Sequence, residues 1–409
     1  MKTADPANIL FVHNNNDLYG AEVALLAMLE RLDRARFMPL VVLPSDTRHI
    51  NRLSVELDKI GVECKFLELG ILRRRYLTGL RVFGHMFRLL TGVVSLTILI
   101  LRRRIAIVHS NTLAVADGAL AAFVTRRPHV WHVHELLVEP PWLRRAMHFL
   151  VPRLSTRVVA NSEAVRRHIV IDAPSCAKRA QVILNGIDPA LFEKASQASK
   201  VREEWGVRPD EMLVGMVGKV TRWKGQLVFA RAAKRVLERH ANAKFAAVGG
   251  VFDNERHFMD RFKAEVERLG IGSRFIINDF RRDVPDVLRA FDIFVLPSTW
   301  PEPFGLVVVE AMAAGKPVIA TAQGGPLEIV VPGETGCLVP AGDESALAES
   351  VGRLLDAPEL IAKFGEAGKR RVVELFSVSR YVLEFEKLYE TLLSRPQRSM
   401  SNGVGKSSI

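Results

Sequence analysis

The stretch PSTWPEPFGLVVVEAMAAGKPVIATAQGGPLEIV (297–330) carries the most informative pattern in this chain of 409 residues. It begins where a short apolar strand pattern, DIFVLPS (292–298), ends, and its proline-rich loop leads into a helical pattern at 305–314. A second strand pattern, PVIAT (317–321), follows directly. Strand, helix and strand in this order are typical of a parallel sheet with helices on its faces.

The same alternation runs through the rest of the chain in two blocks. The first block begins at NILFVHN (8–14) and ends at QVILNG (181–186), and the second begins at MLVGMVGK (212–219). A polar segment without a strand pattern, 188–211, separates them. The pattern predicts an α/β protein with two tandem Rossmann-like, doubly wound domains and a boundary near 190–205. Because such sheets bind ligands at the carboxyl ends of their strands, we expect the active site in the cleft between the domains.

The composition is that of a folded protein, and its charge is uneven. Residues 1–195 carry 27 Lys and Arg against 17 Asp and Glu, whereas residues 196–409 carry 30 against 28. A basic half indicates an anionic partner, such as a phosphorylated substrate or a membrane surface. No nucleic-acid-binding motif is present, so we expect no nucleic-acid partner. Three widely spaced cysteines, Cys64, Cys176 and Cys337, indicate neither a disulfide framework nor a zinc site and are typical of a reducing compartment.

Residues 73–104 combine a long apolar run with arginines at both ends. The uninterrupted part, LLTGVVSLTILIL (89–101), is too short to cross a bilayer about 30 Å thick. Two interpretations stay open: an amphipathic helix that faces anionic lipid, or a helix packed on the first sheet with arginines along its solvent side. The amino-terminal residues lack a long apolar run, so we expect no signal peptide and a cytoplasmic location.

The loop before the 305–314 helix has features of a phosphate site. Pro303 suits a first helical turn, and the free amides of residues 304–307 would point out of the helix start, where phosphate binds well. Gly305 would let a ligand approach the backbone closely. Glu302 and Glu310 bracket this turn and could accept hydrogen bonds from sugar and ribose hydroxyls. The spacing alone leaves open that Glu302 only stabilises the helix start and that Glu310 is a solvated surface residue.

A second loop, in MVGKVTRWKGQ (216–226), carries two cations just after a strand that ends at Gly218. Lys219 and Lys224 could neutralise a diphosphate leaving group. Taken alone, the loop fits two solvated lysines equally well.

The segment 297–330 resembles the Glu-x7-Glu signature of retaining GT-B glycosyltransferases, specifically the large family-four group. The resemblance continues through GETGCLVPAGD (333–343) and covers about residues 8–392. It implies that Glu302 contacts the transferred sugar, that Glu310 binds the ribose, and that the donor diphosphate rests on backbone amides at the helix start. Those amides belong to Phe304, Gly305, Leu306 and Val307.

Three further segments resemble family motifs. The loop with Gly218, Lys219 and Lys224 resembles the Gly-Arg-x4-Lys-Gly loop that clamps the diphosphate; Lys219 stands where Arg is usual, which keeps the charge but loses the bidentate fork. NNNDLYGAEVALL (14–26) resembles a Gly-Gly-Ala-Glu loop bordering the donor phosphate and the acceptor, with Gly20 as the second glycine and Tyr19 in place of the first. His134, at the end of the strand pattern HVWHVHE (129–135), stands where family members contact the donor sugar.

The resemblance also implies a reaction. A sugar would pass from a nucleotide-diphosphate sugar, with retention of configuration, to an acceptor such as a cell-envelope glycan or a lipid-linked sugar. His134, Lys219, Lys224 and Glu302 would form the catalytic group. We expect no cofactor and no metal, since the chain has no Asp-x-Asp motif.

We expect residues 1–195 to bind the acceptor and residues 196–375 to bind the donor. Residues 376–394 would form a helix that packs back on the first domain, and residues 395–409 a disordered tail. An epimerase, a sugar phosphorylase and a non-catalytic binding protein remain alternatives on the same architecture. A dinucleotide-dependent oxidoreductase is disfavoured because no Gly-x-Gly-x-x-Gly follows the first strand.

Overall fold

The computed structural model describes residues 5–72, 81–138, 140–194, 197–251 and 255–394, and it contains two parallel β-sheets. The strands of the first sheet are β1 (Ala7–Val12), β2 (Phe37–Pro44), β3 (Glu63–Leu67), β4 (Ile107–Ser110), β5 (His129–Val133), β6 (Arg157–Ala160) and β7 (Ala180–Val182). Those of the second are β8 (Met212–Val217), β9 (Ala243–Val248), β10 (Phe275–Asn278), β11 (Ile293–Leu296), β12 (Val318–Thr321) and β13 (Gly336–Val339).

Both sheets are doubly wound. The strand order is β3-β2-β1-β4-β5-β6-β7 in the first sheet and β10-β9-β8-β11-β12-β13 in the second. The chain therefore starts each sheet near its middle, builds outward to one side, and returns to build the other. This confirms the predicted fold class, and it places a crevice for ligands where β1 meets β4 and where β8 meets β11.

Helices connect the strands and cover the sheets. In the first half they are α1 (Gly20–Arg31), α2 (Leu53–Lys59), α3 (Arg81–Arg102), α4 (Ala116–Val124), α5 (Pro141–Leu154), α6 (Glu163–Asp172), α7 (Pro189–Glu193) and α8 (Ala198–Glu204). In the second half they are α9 (Gln226–Leu237), α10 (Arg256–Arg268), α11 (Val284–Ala290), α12 (Leu306–Ala313), α13 (Pro326–Ile329), α14 (Glu344–Leu355), α15 (Pro358–Leu375) and α16 (Val378–Leu393).

The carboxyl-terminal helical run, 358–394 in the sequence pattern, is two helices that serve different domains. Helix α15 packs on α12 of the second half, whereas α16 places Tyr381, Phe385 and Tyr389 in the core of the first sheet. The chain turns between them at Phe376, whose carbonyl accepts a hydrogen bond from the Ile187 amide at 2.9 Å. The chain passes from the first half to the second near Ile187 and returns near Phe376, and this hydrogen bond joins the two crossing segments.

The domain bounds drawn from the sequence stay predictions, but the cores show where the two halves meet. Ile187 and Phe192 precede residue 195 and yet pack in a core of the second sheet. The predicted tail, 395–409, lies outside the described residues, as does the start of the arginine-rich segment, 73–80. The sequence patterns missed α5, because its Pro152 and its many arginines obscure the helical periodicity.

Helix α3 forms the crossover from β3 to β4. Its inner side carries Leu96 and Ile100 into the core, and Gly92 lies directly against the Asp117 side chain of α4. The helix therefore packs on the first sheet, as the second of the two sequence interpretations held. Its solvent side carries mostly large apolar side chains, with Arg88 and Arg102 exposed among them, so it is not lined with arginines throughout. Among the described residues, one segment, Phe83–Arg102, is long and apolar enough to cross a membrane by length and composition.

Candidate active site

The candidate site lies where the carboxyl edges of the two sheets face each other. Two contacts show that the edges meet. The Lys219 ammonium, just after β8, lies 3.3 Å from the centre of the Tyr19 ring in the loop after β1. The Ser162 hydroxyl, after β6, donates a hydrogen bond of 2.5 Å to the carbonyl of Pro303, in the loop after β11. The cleft is therefore bordered by strand-end loops of both domains.

Lys224 and Glu302 form the central ion pair of this cleft. The Lys224 ammonium donates to both carboxylate oxygens of Glu302, at 2.7 and 2.9 Å. Glu302 also accepts a hydrogen bond from the Ser298 hydroxyl and is buried. The pair joins the two loops predicted to hold the donor, and a diphosphate that arrived here would compete with Glu302 for the lysine.

Lys219 lies in a less hydrated position. Burial lowers the pKa of its ammonium to about 7, although the Asp17 and Glu22 carboxylates favour the charged form. Gly218 begins this loop directly after β8, and its amide donates to the Val248 carbonyl at 2.9 Å. The two lysines predicted to meet a diphosphate thus reach the cleft from one loop, with different surroundings.

The helix after the proline-rich loop begins later than the sequence pattern predicted. Gly305 is the residue before the first turn of α12, with a φ of 95°, so Pro303 lies outside the helix and Leu306 is its first residue. The left-handed backbone at Gly305 explains why glycine is needed there. The amides of Leu306 and Val307 belong to the first turn, which has no carbonyl four residues earlier inside the helix to accept from them.

The Phe304 side chain is fully packed and lies against the Phe376 ring, with 6.0 Å between ring centres. Phe304 can therefore offer a ligand only its backbone. This agrees with the role drawn from the sequence, which assigned amides and not side chains to residues 304–307.

Glu310 lies in the second turn of α12 and is half-buried. Burial raises the pKa of its carboxyl to about 7. Within the described part of the chain no hydrogen bond or ion pair to this carboxylate is present. A carboxylate held in a recess without a partner is suited to accept hydrogen bonds from a ligand, and the ribose hydroxyls predicted for it are such donors.

On the opposite wall, Gly20 is the first residue of α1 and has open space where a side chain would be. The carboxylate of Glu22 accepts from the Tyr19 amide at 3.1 Å and from His13 Nε2 at 2.9 Å. Burial alone would raise the pKa of Glu22, but these hydrogen bonds outweigh it and hold the pKa below its usual value. Glu22 therefore holds the loop between β1 and α1 in place through the Tyr19 amide and the His13 ring.

His134 is the end of a hydrogen-bonded chain that crosses the edge of the first sheet. Its Nε2 lies 3.3 Å from Asn111 Oδ1, and the Asn111 amide nitrogen lies 3.3 Å from His13 Nδ1. Its Nδ1 faces the Asn161 amide nitrogen at 3.5 Å. Hydrogen bonds are thus donated in one direction, from His134 through Asn111 and His13 to the Glu22 carboxylate, which is the final acceptor.

This direction fixes the histidine tautomers. Because the Glu22 carboxylate can only accept, His13 donates from Nε2 and its Nδ1 accepts from Asn111. His134 then donates from Nε2 to the Asn111 oxygen. Burial lowers the pKa of His134 to about 3, so the ring is neutral at physiological pH. His134 can offer a sugar a neutral dipole but no charge.

Glu328 links the second domain to the first. Its carboxylate accepts from the amides of Glu163 and Ala164 at 2.8 Å each, at the first turn of α6. A side chain of the second domain thus completes a helix start of the first, and the helix dipole adds to the attraction.

The structure brings the predicted groups to one cleft, although their roles in a reaction stay predictions. Lys219, Lys224, Glu302 and Gly305 lie on its second-domain wall, and His134 and Gly20 on the other. Sequence reasoning missed His13, Asn111, Asn161 and Ser298. Each directly follows a strand or lies within two residues of its end, and a polar residue at such a place is the signal that could have found them.

Metal binding in the cleft has no support from side-chain clusters. Over the described ranges, no group of three or more His, Cys, Asp and Glu side chains is arranged to hold a metal ion. Independence from metal remains an expectation.

Two families match this chain, one in each half. Residues 19–191 match the family described as Glycosyltransferase Family 4, and residues 197–371 match Glycosyl transferases group 1. The junction between the two matches falls at the polar segment that separates the strand blocks.

Individual relatives extend across both halves. The alpha-maltose-1-phosphate synthase of Mycobacterium tuberculosis is 31% identical over 299 residues, which are 66% of this chain and 75% of the relative. The lipopolysaccharide core biosynthesis mannosyltransferase LpsB of Rhizobium meliloti is 29% identical over 247 residues, 60% of this chain and 68% of the relative.

A solved structure resembles the whole fold. The crystal structure of Anabaena Alr3699/HepE in complex with UDP and glucose superimposes with a TM-score of 0.81 and 26% identity, over 94% of this chain and 99% of that one. The family recognised from the Glu302-to-Glu310 segment is therefore confirmed. The chain belongs to the group 1 glycosyl transferases and has their two-domain GT-B fold.

Proposed function

We propose that this protein transfers a sugar from a nucleotide-diphosphate sugar to an acceptor hydroxyl, with retention of the anomeric configuration and without a metal. The observation that carries the proposal is the joining of two donor loops by the Lys224–Glu302 ion pair. It gives one small region two cations, a carboxylate and a helix start, which are the groups that a sugar diphosphate needs.

The diphosphate would bind between Lys219, Lys224 and the first turn of α12. As the bond between the anomeric carbon and the diphosphate oxygen breaks, negative charge grows on the leaving group. Preorganised cations and backbone amides stabilise such charge most effectively in a site that excludes water. Retention fits attack by the acceptor hydroxyl from the side on which the diphosphate leaves: the acceptor oxygen bonds to the anomeric carbon, and the hydroxyl proton passes to the departing phosphate oxygen. The family resemblance supports this course.

Lys224 changes partner in this scheme. In the free protein it neutralises Glu302, and in the complex it would turn to the phosphate. Glu302 would then accept hydrogen bonds from hydroxyls of the transferred sugar, which lies next to the diphosphate. Glu310 would bind the ribose, and neutral His134 would donate from its Nε2 to a sugar hydroxyl in place of the Asn111 oxygen.

The relatives support a carbohydrate acceptor and a nucleotide-sugar donor. The named relatives make lipopolysaccharide core or maltose 1-phosphate, and the structural neighbour binds UDP and glucose. We propose a cell-envelope glycan or a lipid-linked sugar as the acceptor, in polysaccharide biosynthesis. The enzyme would work in the cytoplasm, at the inner face of the cytoplasmic membrane.

A ligand screen tests the donor site directly. The intact protein is mixed with UDP, GDP, ADP and their common sugar conjugates, and its melting temperature is measured. We expect a clear rise with one nucleotide, lost in Lys224→Ala and Glu310→Ala and kept in Lys234→Ala, an exposed lysine on α9. If millimolar nucleotide leaves the intact protein unchanged, the donor proposal is wrong.

Turnover separates transfer from its alternatives. An epimerase would convert the nucleotide sugar without an acceptor, and a phosphorylase would need inorganic phosphate. A binding protein would shift in the thermal screen and release no nucleotide. We expect nucleoside diphosphate release that depends on added acceptor, and a product whose anomeric proton coupling in NMR matches that of the donor.

A further inference from the structure

The solvent side of α3 carries a continuous line of large apolar side chains. We define the apolar stripe as Phe83, Phe87, Leu90, Val94, Ile98 and Leu101, which follow one another at intervals of three or four residues. Their exposed fractions run from 44% at Ile98 to 74% at Phe83. From the first to the last, the stripe is about 27 Å long at 1.5 Å of helix rise per residue. Exposed apolar surface of this extent marks an interaction site.

The opposite side of α3 holds the helix rigidly on the domain. Leu96 and Ile100 lie in the core, and a side chain at Gly92 would clash with Asp117 Oδ1 at 2.3 Å. Gly70, just after β3, packs so tightly on Leu89 that a side chain there would lie 2.6 Å from its Cα. Crossing a bilayer would destroy these contacts, although the length would allow it. The helix can therefore contact a partner only along its length, with the apolar stripe facing the partner and the opposite side still packed on the domain.

The charges around the stripe are all of one sign along α3. The helix contains no acidic residue, and Arg88 and Arg102 are exposed on it. Arg103, which forms an ion pair with Glu63 of β3, and Arg104 follow directly. Helix α4 runs beside α3, and its end exposes Phe123 at 65% and Val124 at 60%, with the exposed Arg126 close behind. Apolar and cationic groups therefore share one surface.

We propose that α3 is a membrane-docking helix that lies in the headgroup layer of an anionic bilayer. The apolar stripe enters the boundary between headgroups and acyl chains, about 5–10 Å deep, and the arginines bind lipid phosphates. A second copy of the chain is the other apolar partner to consider. Its α3 would bring the same cations against each other with no carboxylate on either helix to pair with them, so the charges favour lipid.

The docking has a consequence for the site, and this step rests on the proposed function. Leu89 packs on Gly70, three residues after β3 ends, so the amino-terminal end of α3, with Phe83 and Phe87, extends beyond the carboxyl edge of the first sheet, the edge that borders the cleft. The amino-terminal end of α3 therefore reaches the membrane next to the cleft. A lipid-linked acceptor would meet the catalytic groups without leaving its layer.

Vesicle co-sedimentation of the full chain tests the docking apart from the chemistry. Vesicles of phosphatidylglycerol mixed with phosphatidylcholine are compared with phosphatidylcholine alone, at low salt and at moderate salt. We expect binding to the anionic vesicles, weakened by salt. Leu90→Asp should weaken it at least about tenfold, since it removes one buried apolar anchor and adds repulsion. Val373→Asp, on the similarly exposed Val373 of α15, should bind like the unchanged protein.

Three results would overturn the proposal. These are no sedimentation with anionic vesicles in low salt, equal binding by Leu90→Asp, or a dimer in analytical ultracentrifugation that Leu90→Asp dissociates. The last would identify a second copy as the partner. Nucleotide binding by Leu90→Asp should equal that of the unchanged protein, so loss of docking can be told from loss of the donor site.

Discussion

If Lys219 binds the diphosphate as proposed, nucleotide binding should weaken as the pH rises. Burial lowers the pKa of Lys219 to about 7. A diphosphate beside the ammonium favours the protonated form and raises that pKa again, toward the ordinary value of about 10. A lysine whose pKa is lowered to about 7 loses its charge as the pH rises through that value. Nucleotide binding should therefore be strong below pH 7 and weaken above it. Binding at higher pH should take up a proton.

The size of the change in affinity follows from the fraction of protein molecules in which Lys219 is protonated. With a pKa of about 7, this fraction falls from about 24% at pH 7.5 to about 3% at pH 8.5. The apparent Kd of the nucleoside diphosphate should therefore rise about eightfold across this interval, or about 1.2 kcal/mol. The terminal phosphate, with a pKa of about 6, stays ionised throughout and adds little.

Isothermal titration calorimetry at the two pH values, in buffers with different ionisation enthalpies, measures both the affinity and the proton uptake. Lys219→Arg is the matched control, because a guanidinium stays charged at both pH values. We expect its affinity to be flat and its proton uptake to vanish. If the unchanged protein binds equally well at pH 7.5 and 8.5, or if Lys219→Arg shows the same slope, the assignment of Lys219 to the diphosphate is refuted.

Three other substitutions test the rest of the cleft. Lys224→Ala should lower acceptor-dependent nucleotide release by about 10²–10³-fold, as loss of one preorganised donor does, while Lys234→Ala leaves it unchanged; a tenfold effect or less would place Lys224 outside the chemistry. Glu310→Gln should stabilise the free protein by about 1–3 kcal/mol at pH 8 in urea unfolding and should abolish nucleotide binding. Burial raises the pKa of this carboxyl from 4.5 to about 7, so the folded state loses stability as the pH rises between these values, carries the full cost at pH 8 and almost none at pH 4; equal gains at both pH values would contradict this cause. Gly20→Ala should fold as stably or up to about 1 kcal/mol more stably, and it should bind the nucleotide sugar more weakly; unchanged binding would remove Gly20 from the donor site.

The sequence predicts the strands well where apolar β-formers lie between polar turns. DIFVLPS and PVIAT became β11 and β12, with the loop between β11 and α12 at the cleft as expected. The exact helix start was missed because Pro303 and Gly305 both favour a helix boundary. Which of them is used depends on the left-handed backbone at Gly305, which no local pattern specifies.

The hydrogen-bonded chain on the first wall lay beyond sequence reasoning for a different reason. His13 and His134, at the two ends of this chain of hydrogen bonds, are more than a hundred residues apart in the sequence, and each of the three looks like a single polar residue after a strand. They become one unit only because β1, β4 and β5 are adjacent in the sheet. The order of strands is a tertiary property, so the predicted role of His134 came without the residues that orient it.

The contacts by which Glu328 and Pro303 hold the first domain are made mostly to main-chain atoms. Glu328 binds two backbone amides at the start of α6, and Pro303 offers a backbone carbonyl to Ser162. Every residue except proline has such an amide, so this joint makes few demands on the sequence of α6. The first half can therefore change its side chains through evolution, or be exchanged for that of a relative, while the second half continues to recognise it.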